Sequence, residues 1–164
     1  MALFDFPDPV NEVSARLVAG GVVAMAVTAI VFDQPWLLVP LTYGFLARVL
    51  TGPTLSPLGQ FVTRVVTPRL GLAEKLVPGP PKRFAQGIGA ATTVAASVLH
   101  FGFGDTGAAF VLLGVLVVAA SLEAFVGFCL GCQAFRLLMR AGVIPERVCE
   151  RCNELPWVKV AGAG

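Results

Sequence analysis

All four cysteines of the chain fall in two C-x-x-C pairs, Cys129–Cys132 and Cys149–Cys152. Sixteen residues separate the pairs, a spacing typical of four-cysteine zinc sites. Four converging thiolates complete a tetrahedral Zn²⁺ site with no open position, so such a metal would be structural. The same pairs could instead exchange disulfides, because a C-x-x-C thiol beside Arg side chains loses its proton readily. Two pairs with the same spacing argue against cysteines that merely pack in the core, so zinc binding and thiol chemistry remain the two alternatives.

Composition indicates that these cysteines lie beside a membrane. Hydrophobic residues make up 56% of the chain and charged residues only 13%, against about 25% charged in soluble domains. Four apolar segments in 164 residues predict one small integral membrane domain that contacts lipid. The net charge of +2 and the lack of a basic stripe argue against a nucleic-acid partner. Asp5, Asp8 and Glu12 stand where a secretory signal needs positive charge, so we expect no cleaved signal peptide.

The predicted fold is all-α, with four transmembrane helices in two hairpins and a short cytoplasmic C-terminal helical hairpin. The four spans are expected at residues 17–32, 37–50, 84–100 and 108–130, of which the second is short and the last continues into Cys129 and Cys132. The domains predicted from this pattern are a cytoplasmic N-terminal segment (1–16), a membrane domain (17–132) with a basic loop (51–83), a cysteine-bearing hairpin (133–155) and a disordered tail (156–164).

The distribution of Lys and Arg residues predicts the orientation. The loop at residues 51–83 holds five of them and the segment from Gln133 onward also holds five. The two turns at residues 33–36 and 101–107 hold none. Because cytoplasmic segments are enriched in Lys and Arg, both termini and all four cysteines are expected in the cytoplasm.

Two charged residues within the predicted spans are expected to pair. Glu123 is the only carboxylate inside an apolar span, and Arg48 near the end of the second span is its predicted partner. Such a pair would fix helix register; an ion path would need more polar residues at mid-depth. His100 lies near the opposite face and is expected at the interface. The chain has no hydrolase, kinase or dehydrogenase motif, so thiol redox activity is the only enzymatic candidate.

Small residues recur at every fourth position in the first and third spans. They are Gly20, Ala24 and Thr28, and Gly87, Ala91 and Ala95. This spacing lets helices approach closely, within the bundle or between copies of the chain in a homo-oligomer.

Several short motifs connect the chain to a known family. They are Gly52-Pro53, Ser56-Pro57, Thr67-Pro68-Arg69, the run from Pro81 to Gln86, and the run from Phe128 to Cys132. In these motifs the chain resembles the bacterial, largely actinobacterial, multi-pass membrane family catalogued as domain of unknown function 4395, over roughly residues 8–153. The resemblance implies a bacterial inner (plasma) membrane location and partners that are thioredoxin-like or sulfurtransferase proteins. It implies no established activity.

The sequence thus predicts a structural or accessory membrane protein with a cytoplasmic four-cysteine site. Cys129, Cys132, Cys149 and Cys152 would bind one structural zinc, clamp the C-terminal hairpin and dock a soluble partner or a larger membrane assembly. The alternative is a membrane thiol–disulfide or sulfur-relay protein that uses the same residues with a thiol- or sulfur-handling partner.

Overall fold

The structure is a computed structural model that describes residues 6–149, and these residues are mostly helical. The helices are α1 (Glu12–Val31), α2 (Leu38–Thr51), α3 (Pro57–Phe61), α4 (Thr67–Leu70), α5 (Gly79–Ser97), α6 (Thr106–Ser121) and α7 (Leu130–Arg140). Three π-helical turns extend or join them, at Val62–Val66, Val98–Gly102 and Leu122–Val126, and two 3-10 turns lie at Pro35–Leu37 and Glu146–Cys149. A two-residue strand β1 (Val10–Asn11) pairs antiparallel with β2 (Leu76–Val77).

Within residues 6–149, three helices, not four, are long and apolar enough to cross a membrane. They cover Glu12–Val31, Gly79–Gly102 and Thr106–Val126. The predicted second span is α2, whose 14 residues reach about 21 Å at helical rise, less than the roughly 30 Å of a bilayer core. The 3-10 turn Pro35–Leu37 precedes it directly, and Gly52, with a φ of 63°, ends it.

The four longer helices α1, α2, α5 and α6 form an antiparallel bundle. Thr42 and Ser97 share a hydrogen bond at 3.0 Å, while Arg48 further along α2 donates to Gln86 nearer the start of α5. The two helices therefore run in opposite directions. At the start of α1, Arg16 donates to the carbonyl oxygens of Ala124 and Phe125 after α6. We call this end of the bundle, which carries Arg16, Arg48, Lys82 and Glu123, the base.

The bundle core is built from buried aliphatic and small residues of all four helices. Its fully buried members include Ala26 and Ala29 of α1, Leu38 of α2, Ala96 of α5 and Leu113 of α6. The small-residue stripes expected from the sequence lie elsewhere, since Ala24, Thr28, Ala91 and Ala95 are exposed. Buried small residues on neighbouring positions make the close contacts instead, so within the bundle the predicted stripes do not mediate the packing.

At the base, side-chain contacts hold the segment before α5 against the start of α1. The side chain of Asn11 accepts a hydrogen bond from the backbone N–H of Val13, and this cap starts α1 five residues before the predicted span. Ser14 shares a hydrogen bond with Thr67 at 3.0 Å, and Glu12 pairs with Lys75 at 2.6 Å. The predicted basic loop is thus partly helical and held against the start of α1.

Candidate functional site

The helical structure that begins with α6 ends before the first cysteine pair. Gly127 adopts a φ of 76°, in the left-handed region that favours glycine, and it ends the π-helical turn Leu122–Val126. The sequence prediction of one helix continuing through Cys129 and Cys132 is therefore wrong. A new helix, α7, begins at Leu130, and Cys129 is its N-cap residue.

Cys129 and Cys132 form a compact dithiol at the start of α7. The backbone N–H of Cys132 donates to Sγ of Cys129 at 3.3 Å, in the place where Ser or Asp would normally cap a helix. Cys129 is buried, Cys132 is half-buried, and both are free thiols. A sulfur at this position faces the positive end of the helix dipole, which favours its thiolate form.

A buried ion pair lies beside the dithiol. Lys82 Nζ, from the first turn of α5, contacts Glu123 Oε1 at 2.6 Å, and the two side chains are only 9% and 15% exposed. The predicted partner of Glu123 was Arg48, whereas Lys82 is the residue in direct contact with it. Arg48 donates instead to Gln86 at 3.0 Å and to Ser56 at 3.3 Å, and its charge acts on Glu123 from a greater distance. Lys82 is closer because α5 packs its first turn against the end of α6.

The surroundings shift the pKa values of the two thiols in opposite directions. A hydrogen bond from the Cys132 thiol is the largest cause that lowers the pKa of Cys129, and the charge of Lys82 and the Cys132 backbone N–H lower it further. Burial and the charge of Glu123 act against this shift. The hydrogen bond to Cys129 and burial raise the pKa of Cys132. Cys129 is therefore the thiol that ionises first.

The second cysteine pair is only partly within the described residues. Cys149 is buried against Phe135 of α7, with Phe84, Met139 and Ile144 around them, and its sulfur is in a disulfide bond. Cys152 lies outside the described residues. Within residues 6–149, no three His, Cys, Asp or Glu side chains converge on a point that could hold a metal ion. The four-cysteine zinc site stays a prediction.

A close backbone approach fixes the position of the dithiol. A Cβ added to Gly131 would lie 2.5 Å from Cβ and 2.6 Å from Cα of Ala85 in α5. Gly131 therefore allows α7 to rest directly on α5 between the two cysteines.

Replacing Gly131 with Ala is expected to lower the free energy of unfolding by about 1–3 kcal/mol, the usual cost of overpacking. Thermal unfolding of the protein in mild detergent measures this. Gly87→Ala on α5 is the matched control, because nothing lies within 4 Å of its added Cβ, so it should be neutral or stabilising by up to about 1 kcal/mol. Equal melting temperatures for the two variants would show that α7 does not pack on α5 this closely.

Two cavities meet at Cys129. The first has a volume of about 310 Å³, lies among the bundle helices and is lined mainly by apolar side chains, with Arg48, Glu123 and Cys129 at the base. The second has a volume of about 140 Å³ and lies on the outer side of the base, where Lys82, Gln133 and Arg136 surround both cysteines. The sulfur of Cys129 thus borders both cavities, and the lining of the second includes the charged side chains of Glu12, Lys82 and Arg136.

The model of the family described as domain of unknown function 4395 matches residues 10–140, which include all of the bundle and the whole of α7. The chain belongs to this family. Neither a curated protein nor a solved structure matches the chain. The matched range includes Cys129 and Cys132 and stops before Cys149, so in this chain the family region carries the dithiol alone.

Sequence reasoning missed one residue of the site, Lys82. It was counted only as part of the basic loop, although it belongs to the motif from Pro81 to Gln86 that carries the resemblance to domain of unknown function 4395. Pro80 and Pro81 in the first turn of α5 were the available signal, since Pro favours the first turn of a helix. A helix that begins at Gly79 brings Lys82 inside the bundle.

The pH dependence of thiol alkylation tests this arrangement. Because the pKa of Cys129 is lowered from its ordinary value of 9.0, its rate of reaction with iodoacetamide should reach half-maximum below pH 9.0. Lys82→Met should move this midpoint upward and Glu123→Gln downward, since the two charges act on the thiolate in opposite senses. Peptide mass spectrometry locates the label. Midpoints that do not move in either variant would contradict the proximity of the ion pair to Cys129.

Proposed function

We propose that this protein is a membrane thiol–disulfide exchange protein in which Cys129 is the attacking thiol and Cys132 the resolving thiol. The observation that carries the proposal is the position of Cys129 at the N-cap of α7, where its sulfur accepts the N–H of Cys132. Reactive cysteines occupy such positions because the thiolate, not the thiol, is the nucleophile.

The exchange proceeds in two balanced steps. The Cys129 thiolate attacks a partner disulfide, so that a mixed disulfide forms and one partner sulfur leaves as a thiolate. Cys132 then attacks Sγ of Cys129, its proton goes to a departing thiolate, and the second partner sulfur is released. The partner gains two electrons, and the protein keeps a Cys129–Cys132 disulfide. The reverse sequence oxidises a partner dithiol.

The surroundings of the two thiols support this order of events. Cys129 borders both cavities, whereas Cys132 lines only the outer one. A soluble partner would approach through the outer cavity, whose lining includes the charged side chains of Glu12, Lys82 and Arg136. A thioredoxin-like or sulfurtransferase-like protein is the partner that this chemistry fits best.

A structural zinc held by four cysteines is the competing proposal. It requires all four sulfurs as thiolates around one metal. The disulfide at Cys149 and its burial against Phe135 favour a packing role for that cysteine, separate from the dithiol. The dithiol proposal needs only the two cysteines that the base of the bundle already brings together.

We place the protein in the bacterial inner membrane, with the base and both chain termini on the cytoplasmic side. Arg16, Arg48 and Lys82 support this orientation, since Lys and Arg mark the cytoplasmic ends of spans. In this arrangement α2 is the fourth membrane helix of the prediction, too short to span alone and accommodated by a locally thinned bilayer.

A two-equivalent reaction with an aromatic disulfide tests the proposed exchange. Protein with Cys129 and Cys132 free and the disulfide at Cys149 intact is mixed in detergent with 5,5′-dithiobis(2-nitrobenzoate), which releases a coloured thiolate at each step. Two equivalents should appear rapidly per chain, leaving a Cys129–Cys132 disulfide with no aromatic group attached. Thiols that react only after denaturation, or that each retain one aromatic group, would overturn the proposal.

A further inference from the structure

The cavity among the bundle helices opens toward the lipid. Its lining includes Ile88 of α5 and Val115 of α6, which are 44% and 61% exposed and lie within the two candidate spans. Its volume of about 310 Å³ falls at the lower end of the roughly 300–1,000 Å³ of small-molecule sites. The space is thus suited to the ring of a lipid-soluble compound that enters from the bilayer.

The inner end of this cavity is polar although its walls are apolar. Arg48 is 6% exposed, and its guanidinium is held by Gln86 and Ser56 and lies 4.5 Å from the Phe45 ring centre. A guanidinium has five N–H donors, so it can bind an oxygen of a ligand as well as these partners. Because buried donors need acceptors, this guanidinium favours a ligand with a carbonyl oxygen over a plain acyl chain.

The same cavity reaches the reactive sulfur, because Cys129 is part of its lining. We propose that this cavity binds the ring of an isoprenoid quinone, which accepts two electrons from the Cys129–Cys132 dithiol. This inference rests on the proposed exchange activity. An S–S bond forms between the two cysteines, the two S–H bonds break, and both protons end on the oxygens of the quinol. The dithiol loses two electrons and the quinone gains two, so the reaction balances.

The arrangement gives the two substrates of such a protein separate routes to one sulfur. A soluble dithiol partner reaches Cys129 through the outer cavity beside Lys82 and Arg136, and the quinone reaches it from the bilayer. The Cys129–Cys132 disulfide made by the quinone is then the oxidant for the partner. Electrons would pass from soluble thiols into the membrane quinone pool.

The test uses decylubiquinone, whose ring is fully substituted so that a thiol cannot add to a free ring position. Protein with Cys129 and Cys132 free and the disulfide at Cys149 intact is mixed with it in detergent without oxygen, and the loss of quinone absorbance is followed. One quinol per chain and a Cys129–Cys132 disulfide are expected. Ala119→Phe, which fills the cavity, should slow this reaction at least tenfold, and Val111→Phe on the exposed face of α6 should not.

Reaction with the aromatic disulfide separates the two proposals. Ala119→Phe should keep that reaction, because it leaves the dithiol and the outer cavity intact. Normal reaction with the aromatic disulfide but no quinol would overturn the quinone site and leave the exchange activity standing. Equal quinone rates for Ala119→Phe and Val111→Phe would place the reaction outside this cavity. If Ala119→Phe does not fold, Thr92→Phe at the same cavity serves the same purpose. Failure of wild-type protein in both reactions would remove the exchange activity itself.

Discussion

Replacing Cys129 with Ser is expected to abolish disulfide exchange, lowering its rate by at least about 10³-fold, the scale of loss when a catalytic nucleophile is removed. The hydroxyl of Ser can still cap α7, so the helix start should persist and folding should change little. The measurement is the rate of coloured thiolate release from the aromatic disulfide, with far-ultraviolet circular dichroism as the check on folding.

Cys132→Ser is the informative counterpart of this variant. Cys129 can still attack, but no thiol remains to resolve the mixed disulfide, so a single equivalent of coloured thiolate should be released and the partner should stay attached. Cys149→Ser is the control. Because Cys149 lies outside the dithiol, the rate of reaction at Cys129, located by peptide mass spectrometry, should be unchanged, although the sulfur bonded to Cys149 becomes an additional free thiol. An equal loss of rate in Cys129→Ser and Cys149→Ser would contradict the assignment of roles.

The second large effect is expected at the buried ion pair. Glu123→Gln or Lys82→Met leaves one charge without its partner among side chains that are at most 15% exposed. Breaking a buried pair in this way costs about 3–5 kcal/mol, more than its own net contribution to stability. Each single variant should therefore unfold at markedly lower temperature in detergent than the wild-type protein.

The double variant Lys82→Met with Glu123→Gln is the control for this experiment. Because neither Lys82 nor Glu123 is then left with an unpaired charge, its stability should lie well above that of Glu123→Gln, which leaves both Lys82 and the nearby Arg48 without a counter-charge. Additive losses in the double variant would contradict a direct pair. If Glu123→Gln instead stops an ion flux while stability is unchanged, the carboxylate belongs to a transport path and not to a structural pair.

Hydropathy predicted which segments form the long helices but not the residues at which these helices begin. The apolar runs in α1, α5 and α6 were evident, because each holds close to 20 residues with few charges. Helix α1 begins before its apolar run because Asn11 caps it, and α5 does so because Pro residues favour its first turn. Neither effect depends on hydropathy. The length of α2 set it apart from the other three bundle helices.

The sequence was sufficient to identify the cysteines of the site but not the ion pair that lies beside them. The C-x-x-C spacing was sufficient to identify Cys129 and Cys132, whereas the break at Gly127 was hidden in an apolar run that reads as one helix. Arg48 was predicted as the partner of Glu123 because both residues lie at a similar depth in their predicted membrane spans. Which cation lies at 2.6 Å depends on how α5 packs against α6, and sequence separation gives no measure of that distance.

The numbers of zinc ions and of reactive thiols per chain, in protein purified in mild detergent without chelator, distinguish a redox-active dithiol from a zinc site. A redox-active dithiol predicts no stoichiometric zinc and two thiols, Cys129 and Cys132, that react before any chelator is added after mild reduction. One zinc per chain, with thiols that become reactive only after chelation, would contradict the account and establish the closed four-cysteine site instead.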